Sequence, residues 1–449
     1  MEEKILELLE ARDFRQLRQL YSETESADIA LCFAELPEDK LPLLFRLLPK
    51  DLASEVFVEM DSDMQKLLIA SFSDRELKEV IDDMYVDDTV DIIEEMPSNL
   101  VKRILANTSS EMRGQINEIL KYPKDSAGSV MTVEFVDFKS AMSVSEAFEH
   151  LRRTGIDKET IYTCYVTDAS RHLLGVLTVM QLIMASPDDT VGGIMDTNVV
   201  SMHTTDDRED VAKALGKYDF LAMPITDAEG RLVGIVTIDD AVDVIEDETT
   251  EDIEKMAAIT PSDDSYFRTG VLAHAKLRIP WLTVLMLSAT FTGAIITNYE
   301  AAFDSVPLLV AFIPMIMGTA GNAGSQSSTL VIRNMATGDV RLRDFLKVLW
   351  KELRIAFSVG VCLALINTVR ILIQYRGEPN CLGIALTLAV TIILTVSFSK
   401  MLGSMLPMIA KALKLDPALM ASPLIATISD TCSTLIFFYV AVRVLGLGG

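Results

Sequence analysis

The chain has 449 residues, is half hydrophobic and carries a formal net charge of −25, a balance that disfavours nucleic acid and favours cationic partners. That average joins two unlike parts: residues 1–270 hold 57 Asp and Glu against 26 Lys and Arg, whereas residues 271–449 hold 8 against 14. Five scattered cysteines and four histidines without ligand spacing exclude a disulfide framework, a zinc site and a Cys/His nucleophile, and with no phosphate-binding loop the chain does not read as an enzyme.

The opening MEEKILELLEARDF has neither a basic nor an apolar leader region, so no cleavable signal is expected and the acidic part is expected to stay in the cytosol. Residues 1–125 repeat with a period of 12, in which Leu36, Leu48, Met60, Phe72, Met84 and Met96 open successive blocks. Several blocks continue with helix-capping residues and then apolar residues at helical spacing. Helices this short bury their faces only by stacking, which predicts an all-α solenoid.

Residues 126–245 contain one unit twice, 126–187 and 188–245. Tyr165–Leu182 matches Pro224–Ala241 at an offset of 59, and Ala127–Thr132 matches Val191–Asp196 at an offset of 64. Each copy has β-rich runs, a turn such as Asp227 to Gly230, and a helix. This duplicated α/β unit resembles a tandem pair of CBS domains, some of which bind adenosine nucleotides. The resemblance implies an Asp beside a basic residue after the Gly-Val/Ile strand. The first copy has Gln181 beside Met180, and the second has Thr237 and Asp240. ATP is therefore expected to bind weakly or not at all.

Residues 239–254 hold nine acids and no base, with Asp239, Asp243 and Asp247 at helical spacing followed by Glu251. Repulsion this dense suggests a missing cation. A connecting helix and linker occupy residues 246–270, with Pro261 as the expected helix end. Five apolar stretches follow, at about 277–298, 305–333, 352–375, 381–407 and 417–443, each long enough to span a bilayer. Lys400 interrupts the fourth and is expected to snorkel. Basic residues before the first span, between the second and third, and between the fourth and fifth place the N-terminal part in the cytosol and the C-terminus outside.

Two spans are chemically unusual. In the second, Gly318, Gly321 and Gly324 permit close approach, Asn322, Ser325, Gln326 and Thr329 supply neutral oxygens, and Pro314 is expected to free the Val310 carbonyl. In the fifth, Asp430 is the lone mid-span charge, and Pro423 is expected to free the Leu419 carbonyl. A carboxylate there costs about 2.5–3.5 kcal/mol, so it faces protein or water. Oxygen ligands beside one carboxylate suit a hard cation.

The segments GTAGNAGSQSSTLVIR with the following MATGD, and DPALMASPLIATISD, together with the domain order, make the whole chain resemble the MgtE family of magnesium channels. The resemblance implies a homodimer in a bacterial plasma (inner) membrane and a pore on the dimer axis lined by Asp430, the Ala426 carbonyl and Asn322. It also implies a cytosolic part that senses Mg2+ and shuts the pore. The acids that would serve it are Asp87, Asp88 and Asp91; Asp207, Glu209 and Asp219; and Asp239, Asp240, Asp243, Glu248, Glu251 and Asp252. Glu352 and Asp416 would be their partners on the inner side of the membrane part. Expected partners are a second copy, membrane lipid and Mg2+, with no nucleic acid. Two alternatives stay open: a broader carrier of Co2+, Ni2+ or Mn2+, and a membrane-anchored ion or nucleotide sensor that conducts nothing.

Overall fold

The computed structural model describes residues 1–449 apart from 263–265, 267–268, 300–305, 421 and 447–449, and apart from the side chains of Asp51, Asp157 and Ser422. The chain divides into two compact units, Met1–Glu246 and Asp247–Gly449.

The first unit opens with ten helices: α1 (Glu2–Glu10), α2 (Phe14–Ser22), α3 (Ser26–Ala34), α4 (Leu41–Phe45), α5 (Lys50–Val58), α6 (Ser62–Ser71), α7 (Asp74–Ile81), α8 (Val86–Glu95), α9 (Ser98–Asn107) and α10 (Ser110–Ile119). From α5 on they begin at residues 50, 62, 74, 86, 98 and 110, the 12-residue period of the sequence. Caps set several of these starts. The Asp61 carboxylate accepts from the Asp63 and Met64 N–H groups, Ser73 forms a reciprocal box with Glu76, and the Ser109 hydroxyl accepts from Met112. The apolar residue that opens each block turns inward, and all six from Leu36 to Met96 are buried. Phe45, Phe57 and Phe72, from successive turns, meet at centroid distances of 5.2 to 6.2 Å.

The duplicated region folds as two β-α-β-β-α units. The first comprises β1 (Asp137–Lys139), α11 (Val144–Thr154), β2 (Thr163–Thr167), β3 (Leu173–Thr178) and α12 (Val179–Met184). A short α13 (Val191–Ile194) leads into the second, made of β4 (Met202–His203), α14 (Arg208–Tyr218), β5 (Ala222–Thr226), β6 (Leu232–Thr237) and α15 (Ile238–Met256). Each sheet has three strands, parallel between the first two and antiparallel between the last two. The two sequence offsets reappear as a pseudo-twofold relation. Thr132 bridges Ile235 while its repeat equivalent Asp196 bridges Val176, and His172 bridges its own equivalent, Arg231. A Cβ at Gly175 would stand 2.9 Å from the Asp196 carbonyl oxygen, and one at Gly234 2.7 Å from that of Thr132. These two glycines let each sheet receive the segment before the other, so the matched residues make matched contacts.

α15 carries the chain from the first unit into the second. It ends at Met256 rather than at Pro261, because Ala258 takes up a left-handed conformation (φ 56°) and the Ile259 N–H turns back to the Glu254 carbonyl. The second unit contains α16 (Val271–Asn298), α17 (Ile313–Ala336), α18 (Phe345–Gln374), α19 (Cys381–Ala412) and α20 (Ser422–Leu445), and these five are long and apolar enough to cross a membrane. The third runs from residue 345, a turn and more ahead of the expected 352. α17 and α19 approach closely at two glycines: a Cβ on Gly403 would lie 2.1 Å from the Gly324 carbonyl oxygen. α16 lies along α20, where the Thr292 and Thr431 hydroxyls hydrogen-bond at 2.8 Å.

Neither proline frees a mid-helix carbonyl. Pro314 lies in the first turn of α17, after a 3-10 turn over Pro307–Phe312, and the Ile313 N–H donates to the Val310 carbonyl. Pro423 is the second residue of α20, after a 3-10 turn over Pro417–Met420. Proline is favoured in a first turn, where a missing N–H costs nothing. Lys400 does not snorkel; it is 5% exposed and held inside the bundle.

Candidate pore and acidic sensor sites

Asp430 lies about a third of the way along α20, one turn beyond Ala426. Facing them is Gly321 on α17, where an added Cβ would stand 3.5 Å from the Ala426 Cβ and 3.7 Å from Asp430 Oδ1. Glycine thus leaves the flank of the carboxylate clear. Gly324, one turn on, is closed in: its Cβ would lie 2.7 Å from Ile425 Cγ2 and 3.0 Å from the Ser399 carbonyl oxygen. Gly318 differs, with nothing within 4 Å, so it is not a packing glycine within one chain. It belongs to a stripe with Asn322, Gln326 and Thr329, all exposed at helical spacing on α17. A polar stripe halfway along an apolar span is stable only against protein or water. On α20 the Thr427, Thr431 and Thr434 hydroxyls donate to the carbonyls of Pro423, Thr427 and Asp430, which leaves the Asp430 carboxylate as the projecting acidic group.

In the first unit the structure gathers Asp87, Asp88 and Asp91 of α8 against Asp239 and Asp240 at the start of α15. Two residues that the sequence did not single out join them, Glu134 and Glu159. The Glu159 N–H donates to the Glu134 carbonyl at 2.9 Å, which fixes both beside the cluster. Asp87 is 7% exposed, and its Oδ1, like Glu159 Oε2, has no hydrogen-bond partner among the described residues. Burial, and then the charges of Asp240, Asp88, Glu159 and Glu134, hold the Asp87 carboxyl well above the usual range. Asp88 is pushed up to about 7 by burial and then by Asp240 and Asp239; Glu159 is pushed up to about 8 by burial and then by the same two. Asp91, on the solvent side, rises to about 7 through desolvation and the charges of Asp240 and Asp88. Asp240 is anchored by Thr237, accepting from its hydroxyl at 2.6 Å and from its N–H at 3.4 Å. Among the described residues no three acids converge closely enough to ligate a metal ion directly.

The other expected sensor acids have separate surroundings. Asp207 caps α14 through the Glu209 N–H, Glu209 pairs with Lys213 at 2.6 Å, and Asp219 ends α14 in a left-handed conformation. Asp243, Glu248, Glu251 and Asp252 follow along α15, with Asp243 exposed and the others half-buried. Asp416 is half-buried and paired: Lys255 Nζ lies 2.6 Å from it, and the same ammonium lies 2.5 Å from Glu251. Glu352, expected on the inner surface, is 8% exposed inside the bundle, where it accepts from the Ser327 hydroxyl at 2.6 Å.

At the position where the resemblance expects an Asp, the first repeat places Gln181. Gln181 Oε1 is taken by the Thr178 N–H at 2.6 Å and by the Thr178 hydroxyl, and Met180 beside it is exposed and uncharged.

Comparison with known proteins matches residues 313–440 to the divalent cation transporter domain of MgtE, residues 24–125 to the MgtE intracellular N domain and residues 191–247 to a CBS domain. The magnesium transporter MgtE of Thermus thermophilus is 35% identical over 98% of both chains, and that of Bacillus subtilis 32% identical over 98% of this chain and 96% of its own. The crystallised cytosolic domain of the Mg2+ channel MgtE in complex with ATP, 34% identical, covers 54% of this chain and all of its own with a TM-score of 0.52. A crystallised soluble part of a magnesium transporter, 32% identical, covers 55% of this chain and 97% of its own, also at 0.52.

Proposed function

Because this chain belongs to the MgtE family of magnesium transporters, we propose that it is a channel that admits Mg2+ down the membrane potential and is shut by Mg2+ at its cytosolic acids. The observation that carries the conduction reading is the juxtaposition of Asp430 and Ala426 with Gly321, beside the exposed polar stripe of α17. In a homodimer with that stripe on the axis, two Asp430 carboxylates match the charge of one divalent ion. Mg2+ sheds water reluctantly, so carboxylate, Asn322 amide, Thr329 hydroxyl and the Ala426 carbonyl would hold it through its water shell. With oxygen alone offered, and no thiolate or imidazole in either motif, softer metals gain little, which favours Mg2+ over Co2+, Ni2+ or Mn2+. Inward movement needs no ATP, since the potential is worth about 2.3 kcal/mol per charge per 100 mV.

Closure would use the acids of the first unit and of α15. Crowded Asp87, Asp88, Asp240 and Glu159 resist full ionisation in the compact arrangement. A bound divalent cation supplies the positive charge that lets them stay together ionised. The membrane domain would sit in the bacterial inner membrane with residues 1–270 in the cytosol and the C-terminus outside, as its basic loops favour. The test is flux of several divalent ions into liposomes, with and without Mg2+ on the cytosolic side. Mg2+ influx that falls as cytosolic Mg2+ rises is expected; a chain that carries nothing would leave the sensor reading instead.

A further inference from the structure

Three polar side chains from three different spans meet inside the membrane unit. Ser327 of α17 is fully buried; its hydroxyl donates to Glu352 Oε2 of α18 at 2.6 Å and accepts from Lys400 Nζ of α19 at 3.1 Å. The ammonium and the carboxylate are 3.9 Å apart, with side chains 6% and 10% exposed. A lone charge at this depth is costly, so each is held by the other, and the hydroxyl between them uses both its proton and a lone pair.

The position of this triad gives it more than a neutralising role. On α17, Ser327 is three residues beyond Gly324; on α19, which runs the same way, Lys400 is three residues before Gly403. Gly324 and Gly403 are the pair whose backbones nearly touch. Ser327 and Lys400 thus each lie within one turn of the close approach of Gly324 and Gly403 on their own helices, while on the other side of Gly324 from Ser327, one turn away, Gly321 faces Asp430. Two glycines in contact fix a distance but leave rotation and sliding free, because neither has a side chain to interlock. Ser327, tied to two neighbouring helices, removes both freedoms.

We propose that Lys400, acting through Ser327 and Glu352, is a positioning residue for permeation: it sets the rotation of α17 that presents Gly321 to Asp430. This rests on the conduction reading above. It also takes Glu352 away from the cytosolic sensor and gives it to the membrane core.

The experiment compares full-length Ser327→Ala, Lys400→Met, Glu352→Gln and the exchange Lys400→Glu/Glu352→Lys in liposomes, with Mg2+ flux normalised to folded protein. Lys400→Met and Ser327→Ala should raise half-saturating Mg2+ or lower maximal flux per folded channel by about ten-fold, the scale of coupling between residues in one network. The exchange should return both to within about three-fold of the parent. A merely structural triad would reduce the folded yield and leave flux per channel unchanged. Parental flux per channel in Lys400→Met or Ser327→Ala overturns the proposal. So does an exchange variant that folds yet conducts no better than the single substitutions. Should Lys400→Met fail to fold, Ser327→Ala, which keeps both charges, decides the matter. A parent chain without Mg2+ flux would sink the conduction reading itself.

Discussion

Lys255 Nζ lies 2.6 Å from Asp416 Oδ2, joining the last turn of α15 to the turn that leads into α20. The same ammonium holds Glu251 at 2.5 Å, and Asp416 Oδ1 accepts the Ala418 N–H at 2.8 Å. Two acids that the resemblance would bridge with Mg2+ are thus already bridged by an internal cation, beside a hollow lined by Trp281, Leu285 and Pro423. Both carboxylates hold the Lys255 ammonium above its ordinary range against the opposing effect of burial.

Lys255→Met should therefore leave Glu251 and Asp416 dependent on an external cation. The cytosolic Mg2+ that halves influx is expected to rise about two- to five-fold, the worth of a partly exposed ion pair. Liposome flux at graded cytosolic Mg2+ measures it, and an unchanged midpoint would refute the bridge as a closing contact.

Asp430→Asn keeps the shape of the side chain and removes its charge. Mg2+ flux should fall by at least about ten-fold while the protein folds and elutes as the parent does. Flux at the parental level would discard Asp430 as the ion site.

Protons should compete for the cluster around Asp87. A carboxyl raised in the fold from about 4 binds its proton more tightly there than in the unfolded chain, so its stabilising contribution is complete below about pH 4. That contribution is lost as pH climbs through about 7 for Asp88 and about 8 for Glu159. Without divalent ions, the thermal midpoint of the first unit should fall between about pH 5 and pH 8.5, and Glu159→Gln should flatten the slope. A midpoint that rises over that window contradicts the assignment.

ATP should give no heat in calorimetry with the parent chain at up to about 1 mM, since Gln181 is committed to Thr178. Replacing Met180→Arg and Gln181→Asp together should create measurable binding. Micromolar binding by the parent would show that another part of the repeat holds the nucleotide.

Two glycines separate packing from pore lining. Gly403→Ala places a methyl against the Gly324 carbonyl and should destabilise the bundle by about 1–3 kcal/mol or more, read as a lowered melting point in detergent. Gly318→Ala meets nothing within one chain and should leave that melting point alone. Equal losses in both would mean that the crossing is looser than described.

Periodic and local features were legible in the sequence. The 12-residue blocks became helix starts because a capping residue and the apolar residue before it act within one turn. The offsets of 59 and 64 became paired bridges because similar local runs fold alike and then face each other. Asp430 stood out because nothing charged lies near it along the chain. What the sequence did not reveal was which groups neutralise which. The acids of α15 read as a run awaiting a metal, yet the Lys255 that closes on Asp416 is 161 residues from it in sequence. Glu352 read as an inner-surface acid, although its partners Ser327 and Lys400 lie on two other helices. Glu134 and Glu159 sit in no acidic run, and only the fold brings them against Asp87. Capping and periodicity act between neighbours along the chain and are written there, whereas a charge is satisfied by whatever lies within a few ångströms in space, which packing alone decides.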